Sequence, residues 1–274
     1  MQFVQSIHKL GIKMQIVIPM TGNGSRFVAE GYKRLKPFIK IHGIPMINWV
    51  VKMFPGDEER ILYICRQSHL KRKKYMINEL LQTSPSAKIC KINDWEKLGP
   101  VSDVLRAAEY IDDNKPVLVS YCDFFLGWSY KKFKHFIKMH NPDGAIPCYT
   151  GYHPHLIYKN NLYATCETNE KFKLRKIREK FQLNQDKFKD LQSPGLYYFK
   201  SGGLLKEYCI RLINSKNSIN GEYYMSLPFN EMVDDNLKVL CPPIVEYFCQ
   251  WGTPKDLEEY NYWLRIAKNL DKKL

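Results

Sequence analysis

The sequence predicts an α/β domain: a mostly parallel sheet with helices on its faces. Three observations carry this. Short β-branched and apolar runs alternate with amphipathic stretches of helical length along most of the 274 residues. The first run, residues 15–20 (QIVIPM), is almost wholly apolar, which suits the centre of a sheet. It leads straight into a loop, Thr21-Gly22-Asn23-Gly24-Ser25-Arg26, whose small residues break any continuation of the strand.

The remaining elements follow in order. Residues 38–41 read as a short extended run, and Pro45 opens a helix to residue 51. A strand over 60–65, a helix over 69–81 and a strand over 87–92 come next. Gly99 precedes a helix reaching residue 110, and a strand over 115–120 ends close to Asp123. Residues 130–140 set Phe133, Phe136, Ile137 and His140 on one helical face. Strands over 144–149, 163–167 and 174–177 form a smaller β portion, followed by helices over 204–213, 222–233 and 254–266. No internal repeat, low-complexity tract or long linker divides the chain, so it reads as one domain, with residues 1–13 as an N-terminal extension.

Composition narrows the function classes. With 45% hydrophobic residues the chain can bury one large core. It holds no run of 18 apolar residues, and its N-terminus lacks the apolar core of a secretory signal. Eight cysteines occur without a CxxC pair, several (Cys65, Cys122, Cys148) at strand-like apolar positions. That usage suits reduced thiols in a cytoplasmic protein better than a disulfide framework or zinc site. The net charge of +14 attracts anions in general, but the lysines at 71–74, 131–138 and 171–180 read as solvated faces. No nucleic-acid-binding signature accompanies them. His153-Pro154-His155 reads as part of a loop rather than a metal pair, and Trp128, Trp251 and Tyr198 as core aromatics before sugar-pocket ones.

The chemistry concentrates in the first loop. Gly22 and Gly24 let the backbone approach a polyphosphate, and free N–H groups there form an anion-binding concavity. Arg26 and, ten residues on, Lys36 add two cations; Lys36 is followed by Pro37. A Walker A loop would end Gly-Lys-Ser/Thr, whereas this one ends Gly24-Ser25-Arg26. A dinucleotide fingerprint would carry a third glycine where Phe27 stands. Asp123, just past the end of a strand, can hold Mg2+ or cap the next helix. No Ser-His-Asp or Cys-His constellation offers a nucleophile.

The loop and six further stretches resemble the sugar-1-phosphate nucleotidyltransferases. The family's G-x-G-S-R-F loop closing on K-P is matched at Gly22 to Phe27 and Lys36-Pro37. Gly99 to Ala107 (GPVSDVLRA) resembles its glycine-led helix start, Tyr121-Cys122-Asp123 its metal-aspartate strand end, and Ile177-Arg178-Glu179-Lys180 its V-x-E-K motif. Gly195 to Phe199 (GLYYF), Asn220 to Tyr224 (NGEYY) and Gln250 to Leu257 (QWGTPKDL) complete the set. The resemblance implies a Rossmann-like nucleotidyltransferase fold, similar to GT-A folds, with a small sugar-binding β portion. Residues 14–143 would then form a nucleotide-binding half and 144–274 a sugar-phosphate-binding half. Arg26, Lys36 and Asp123 would be catalytic, with Mg2+ on Asp123. Thr21, Gly22, Asn23, Gly24, Ser25, Gly99 and Ser102 would bind nucleotide; Glu179, Lys180, Gly195 and Glu222 would bind the sugar phosphate. The implied products are an NDP-sugar, for surface glycans such as capsule or lipopolysaccharide, and pyrophosphate. Homo-oligomerisation stays open.

Two positions depart from the family pattern. Gln250 stands where many relatives carry a second metal aspartate, and Gly127 where another aspartate is common. They keep two other readings open: a cytidylyltransferase acting on a phosphorylated alcohol or amine, and a non-catalytic nucleotide or NDP-sugar binder.

Overall fold

The computed structural model describes residues 12–57, 60–93, 98–157 and 161–271. Most of the expected N-terminal extension, residues 1–11, lies outside them. β1 (Gln15–Pro19) alternates its side chains across the sheet: Ile16 and Ile18 enter one buried cluster, Val17 the other. A strand buried on both faces must be roofed on both. After α1 (Ser25–Ala29) and the ribbon of β2 (Lys40–Ile41) and β3 (Ile44–Pro45), α2 (Met46–Val51) covers the first face with Ile47 and Val50. β4 (Ile61–Arg66) lies parallel to β1; α3 (Gln67–Arg72) and α4 (Tyr75–Thr83) lead to β5 (Lys88–Ile92), parallel to β4. α5 (Pro100–Arg106) packs Val101 and Val104 on the opposite face and leads to β6 (Val117–Ser120), on the other side of β1. The growth of the sheet thus reverses at β1, and a crevice opens beyond the carboxyl ends of β1 and β6.

The later chain completes and extends this frame. β7 (Phe124–Trp128), α6 (Tyr130–His140) and β8 (Gly144–Ala145) precede a separate antiparallel sheet of β9 (Ala164–Thr168), β10 (Leu174–Glu179) and β11 (Leu191–Ser193). β12 (Leu196–Phe199), α7 (Gly202–Asn214), α8 (Pro228–Asp234), β13 (Val239–Leu240), β14 (Val245–Gln250) and α9 (Pro254–Asp271) follow. The seven-stranded sheet has the order β13-β8-β12-β6-β1-β4-β5; β12 is antiparallel to both its neighbours and the remaining pairs are parallel. β14 pairs with β7 in a two-stranded ladder of its own. No helix among the described residues is long and apolar enough to cross a membrane.

α6 shows the sequence logic at its clearest. Ser129 caps it, its Oγ accepting from the Lys132 N–H at 3.2 Å, a bond worth about 1 kcal/mol. Tyr130, Phe133 and Ile137 are buried, each stabilising the fold by roughly 1.5–3 kcal/mol. Asn141 ends the helix in the left-handed conformation at φ 42°. His140, expected on the buried face, is exposed and rests on Phe136.

Elsewhere the structure corrects the reading. The helix expected over 69–81 is two, broken at Lys73 inside the run of four cations, where like charges oppose a continued helix. The turn lets Tyr75 pack on Phe38 and under the Arg34 guanidinium. The helix expected from 222 starts at Pro228, because the backbone of Tyr223 is engaged elsewhere: its N–H donates to the Leu98 carbonyl and its carbonyl accepts from Val101. Residues 36–38 form a 3-10 turn before β2, and only Gly144–Ala145 of the expected strand over 144–149 joins the ladder. β7 and β14 were not legible as strands.

The loop expected at His153 and His155 is irregular backbone leading into a 3-10 turn over Pro154–Ile157, and both side chains are buried in it. They are 5% and 3% exposed, packed on Tyr149, with His155 Nε2 2.8 Å from the Tyr149 hydroxyl. Burial, helped by the neighbouring His153, pushes the His155 pKa down to about 3. The unfolded chain therefore takes up this proton first, and stability falls as pH drops from about 6.5 toward 3, by ~1.4 kcal/mol per pH step of separation. Melting temperature measured against pH should show this acid limb, flattened in His155→Phe. An unchanged limb in that variant would exclude His155 as its source.

Candidate active site

A cleft of about 400 Å³ occupies the crevice beyond β1 and β6. Thr21, Gly22, Asn23, Gly24, Ser25, Arg26, Lys36, Gly99, Asp123 and Glu222 all line it. The loop adopts its path because of Gly24, at φ 63°, where a Cβ would also lie only 3.3 Å from Lys36 Cβ. Both freedom and closeness require glycine there. Three contacts fix the loop from outside: the Thr21 hydroxyl donates to the Asp103 carboxylate of α5, Arg66 Nε donates to the Thr21 carbonyl at 2.7 Å, and Asn23 Oδ1 meets His69 Nε2 at 3.0 Å.

The two cations differ in setting. Arg26 is exposed on α1 and forms no ion pair with a described residue. Lys36 Nζ sits 2.5 Å from Asp123 Oδ2. Burial works to lower the Lys36 pKa, but the Asp123 charge and hydrogen bond outweigh it and the net shift is upward. Lys36 therefore stays charged throughout the neutral range.

Beyond Asp123 lies a second space. A chamber of about 130 Å³ is lined by Glu179, Lys180 and Gly195 together with Tyr121, Asp123 and Tyr224. A larger cavity of about 740 Å³ joins Arg26, Lys36 and Asp123 to Lys180, Gln182 and Asp256. Lys180 reaches these spaces from a left-handed backbone, φ 53°, at the end of β10. Glu179 accepts from the Ser226 hydroxyl; burial raises its pKa against the opposing pull of Ser226 and Lys180.

Several expected residues sit differently from their expected surroundings. Glu222 lines the loop's cleft beside Gly99 rather than the Glu179 and Lys180 chamber. Gly99, at φ 90°, is glycine because a Cβ would meet the Tyr223 backbone at 2.8 and 2.9 Å. At Gly195 a Cβ would strike the Tyr121 ring at 2.7 Å. Ser102 is buried in the first turn of α5 and lines none of these cavities. Trp251 and Tyr198 are core, and half-buried Trp128 packs on Phe54, Tyr130 and Phe133.

The departures also gain a structural reason. Gln250 is buried, accepting from the Tyr163 hydroxyl and donating to Asp256 Oδ1 at 3.1 Å. A Cβ at Gly127 would lie 1.9 Å from the ring of exposed Tyr247, so a side chain there would displace that ring. Two carboxylates do border the larger cavity, that of Asp123 and that of Asp256, to which the sequence alone assigns no role. A Cβ at Gly252 would lie 3.4 Å from Asp256 Oδ2 and 3.9 Å from Asp123 Oδ2, so glycine leaves a gap bounded by two carboxylates. Hard oxygen ligands around such a gap suit Mg2+. Asp256 also closes a capping box with Thr253, a T-x-x-D spacing that was the available signal. Asp103, Tyr121 and Tyr224 were missed as well; only their tertiary neighbours mark them.

The model of the MobA-like NTP transferase domain matches residues 16–186, more than half of the chain. The chain belongs to the MobA-like NTP transferase family. Glycine loop, Lys36, Asp123 and Lys180 fall inside the matched span; Gly195, Glu222 and Gln250 fall beyond it. Among solved structures, the chain is similar to the nucleoside-diphosphate-sugar pyrophosphorylase from Vibrio cholerae RC9, at 21% identity and TM-score 0.72 over 91% of this chain and 99% of that one. A UDP-glucose pyrophosphorylase complexed with UDP-glucose matches at 14% identity and TM-score 0.69, covering 93% and 99%. The UDP-glucose pyrophosphorylase from Acinetobacter baumanii matches at 14% and TM-score 0.65, covering 90% and 92%. These likenesses show a nucleotidyltransferase fold. No curated protein is a significant match.

Proposed function

We propose that this NTP transferase joins a nucleoside triphosphate to a sugar-1-phosphate, giving an NDP-sugar and pyrophosphate. The observation that most supports this is the 740 Å³ cavity in which Arg26 and Lys36, beside the glycine loop, share one space with Lys180, with Asp123 also in its lining. Two phosphorylated substrates fit such a space: one anion on each cationic wall. In this reading residues 14–143 supply most contacts to the nucleotide and 144–274 most contacts to the acceptor, with Glu222 and Gly252 crossing over.

The phosphate oxygen of the sugar-1-phosphate attacks the α-phosphorus, and the bond to the β-phosphate oxygen breaks as pyrophosphate leaves. No side-chain nucleophile is required. Arg26 and Lys36 hold the triphosphate, Lys180 steadies the attacking phosphate, and Glu179 accepts from acceptor hydroxyls. Asp123, with Asp256 across the Gly252 gap, would hold Mg2+, which when bound neutralises phosphate charge.

The left-handed backbone at Lys180 costs about 1 kcal/mol, a strain kept where a charge must be aimed. Lys180→Gly should relieve the strain, with no loss of melting temperature, yet lower kcat/KM for the sugar phosphate by ~10²-fold. The nucleotide KM should hold. An unchanged acceptor kcat/KM would remove Lys180 from the acceptor site.

The deciding experiment is pyrophosphate release from four nucleoside triphosphates against a panel of sugar-1-phosphates, with and without Mg2+. Turnover is expected for a sugar-1-phosphate and only with the cation. Turnover confined to CTP with choline phosphate, or nucleotide binding without pyrophosphate release, would overturn the proposal.

A further inference from the structure

Three cysteines from distant stretches of chain converge inside the second core cluster. Cys148 lies three residues past β8, Cys166 is the midpoint of β9, and Cys241 directly follows β13. Their Sγ atoms all lie within 4.8 Å of one another, and those of Cys148 and Cys166 are 3.8 Å apart. All three are buried, at 0%, 2% and 0% exposure, in a cluster that also contains Ile146, Leu174 and Ile177. Among the described residues no His, Asp, Glu or fourth Cys joins them. Two thiolates on one tetrahedral ion at about 2.3 Å stand ~3.8 Å apart, and those on a pyramidal three-coordinate centre somewhat closer, so the three sulfurs would draw together on binding.

Charge selects the class of ion. Three thiolates in an apolar interior have no counter-charge there, and each uncompensated charge is costly. Zinc would leave one negative charge and lack its fourth ligand; Cu+ would leave two. A trivalent, three-coordinate centre leaves none. We propose that Cys148, Cys166 and Cys241 form a binding site for trivalent arsenic, held as a neutral tris-thiolate. Arsenous acid and three thiols give the complex and three waters: three As–O and three S–H bonds break, three As–S and three O–H bonds form, and no oxidation state changes. The bound centre would tie β9 of the small sheet to the segments following β8 and β13 of the large one.

Because the site is closed, the full chain would be refolded with arsenite under a phosphine reductant, with parallel arms in Zn2+ and Cu+. Native mass spectrometry should find one arsenic per chain, X-ray absorption should find three sulfur neighbours and no oxygen, and the melting temperature should rise. Cys166→Ala and Cys241→Ala, checked as folded by circular dichroism, should bind at least ~100-fold more weakly, beyond the range typical when only an outer-shell partner of a ligand is lost. No retained arsenic, equal retention in the alanine variants, an oxygen neighbour on the arsenic, or preferential retention of zinc or copper would each overturn the assignment. None of these outcomes depends on nucleotidyl transfer.

Discussion

Arg26→Ala is expected to lower turnover by ~10²–10³-fold while leaving the fold as it is. Arg26 is exposed, forms no ion pair with a described residue, and lines both the loop's cleft and the larger cavity. With no ion pair to a described residue to lose, its removal should change stability by no more than about 0.5 kcal/mol. Its guanidinium can grip phosphate oxygens with two parallel N–H groups, which lysine cannot, so Arg26→Lys should recover only part of the rate. Steady-state pyrophosphate release alongside thermal melts would test this. Near wild-type turnover in Arg26→Ala would remove the loop from the reaction.

Asp123→Asn should be as damaging to turnover, and it should also be felt in stability. The Asp123 side chain is 25% exposed and its partner Lys36 19%, so the substitution leaves a largely buried ammonium without its counter-charge. A cost of roughly 1–3 kcal/mol is expected. Adding Lys36→Met should return most of that stability and none of the activity, since the pair's contribution to folding and its contribution to phosphate binding are separable. Mn2+ titration followed by electron paramagnetic resonance gives an independent readout: affinity should fall in Asp123→Asn. Activity returning with stability in the double variant would show that the pair is only a strut.

What the sequence disclosed follows from how local each feature is. The apolar run of β1, the turn at its loop glycines and the stripe of Phe133 and Ile137 in α6 are written within a dozen residues, and the strand, the turn and the helix form there. β7 (FFLGW) and β14 (VEYFCQ) gave no such signal; their aromatic content suits core or strand equally, and only their pairing with each other distinguishes them. The break at Lys73 and the late start of α8 answer to contacts with Phe38 and Leu98 across the molecule. For the site, residue type named Arg26, Lys36 and Asp123 as candidates, but not which groups would meet. Gly99 and Gly195 line the cleft and the chamber, and each also makes room for a neighbour that the sequence does not disclose, the Tyr223 backbone and the Tyr121 ring. Asp256 stands in a stretch that resembles the family, but that its capping Oδ2 also borders the gap shared with Asp123 depends on the β7–β14 ladder and on the Trp251 N–H donating to the Asp123 carbonyl at 2.9 Å.

On the proposed reading, with one substrate in the cleft and one in the chamber, Tyr121 stands between them. Its ring forms part of the wall of both the cleft and the chamber, is wedged against Gly195, and is held at its hydroxyl by the Met225 N–H at 3.3 Å. A plate shared by two rooms cannot tilt for one occupant without reshaping the other's. Whatever free energy the first arrival spends or gains in setting that tilt is passed on to the second, and linkage makes the exchange equal in both directions.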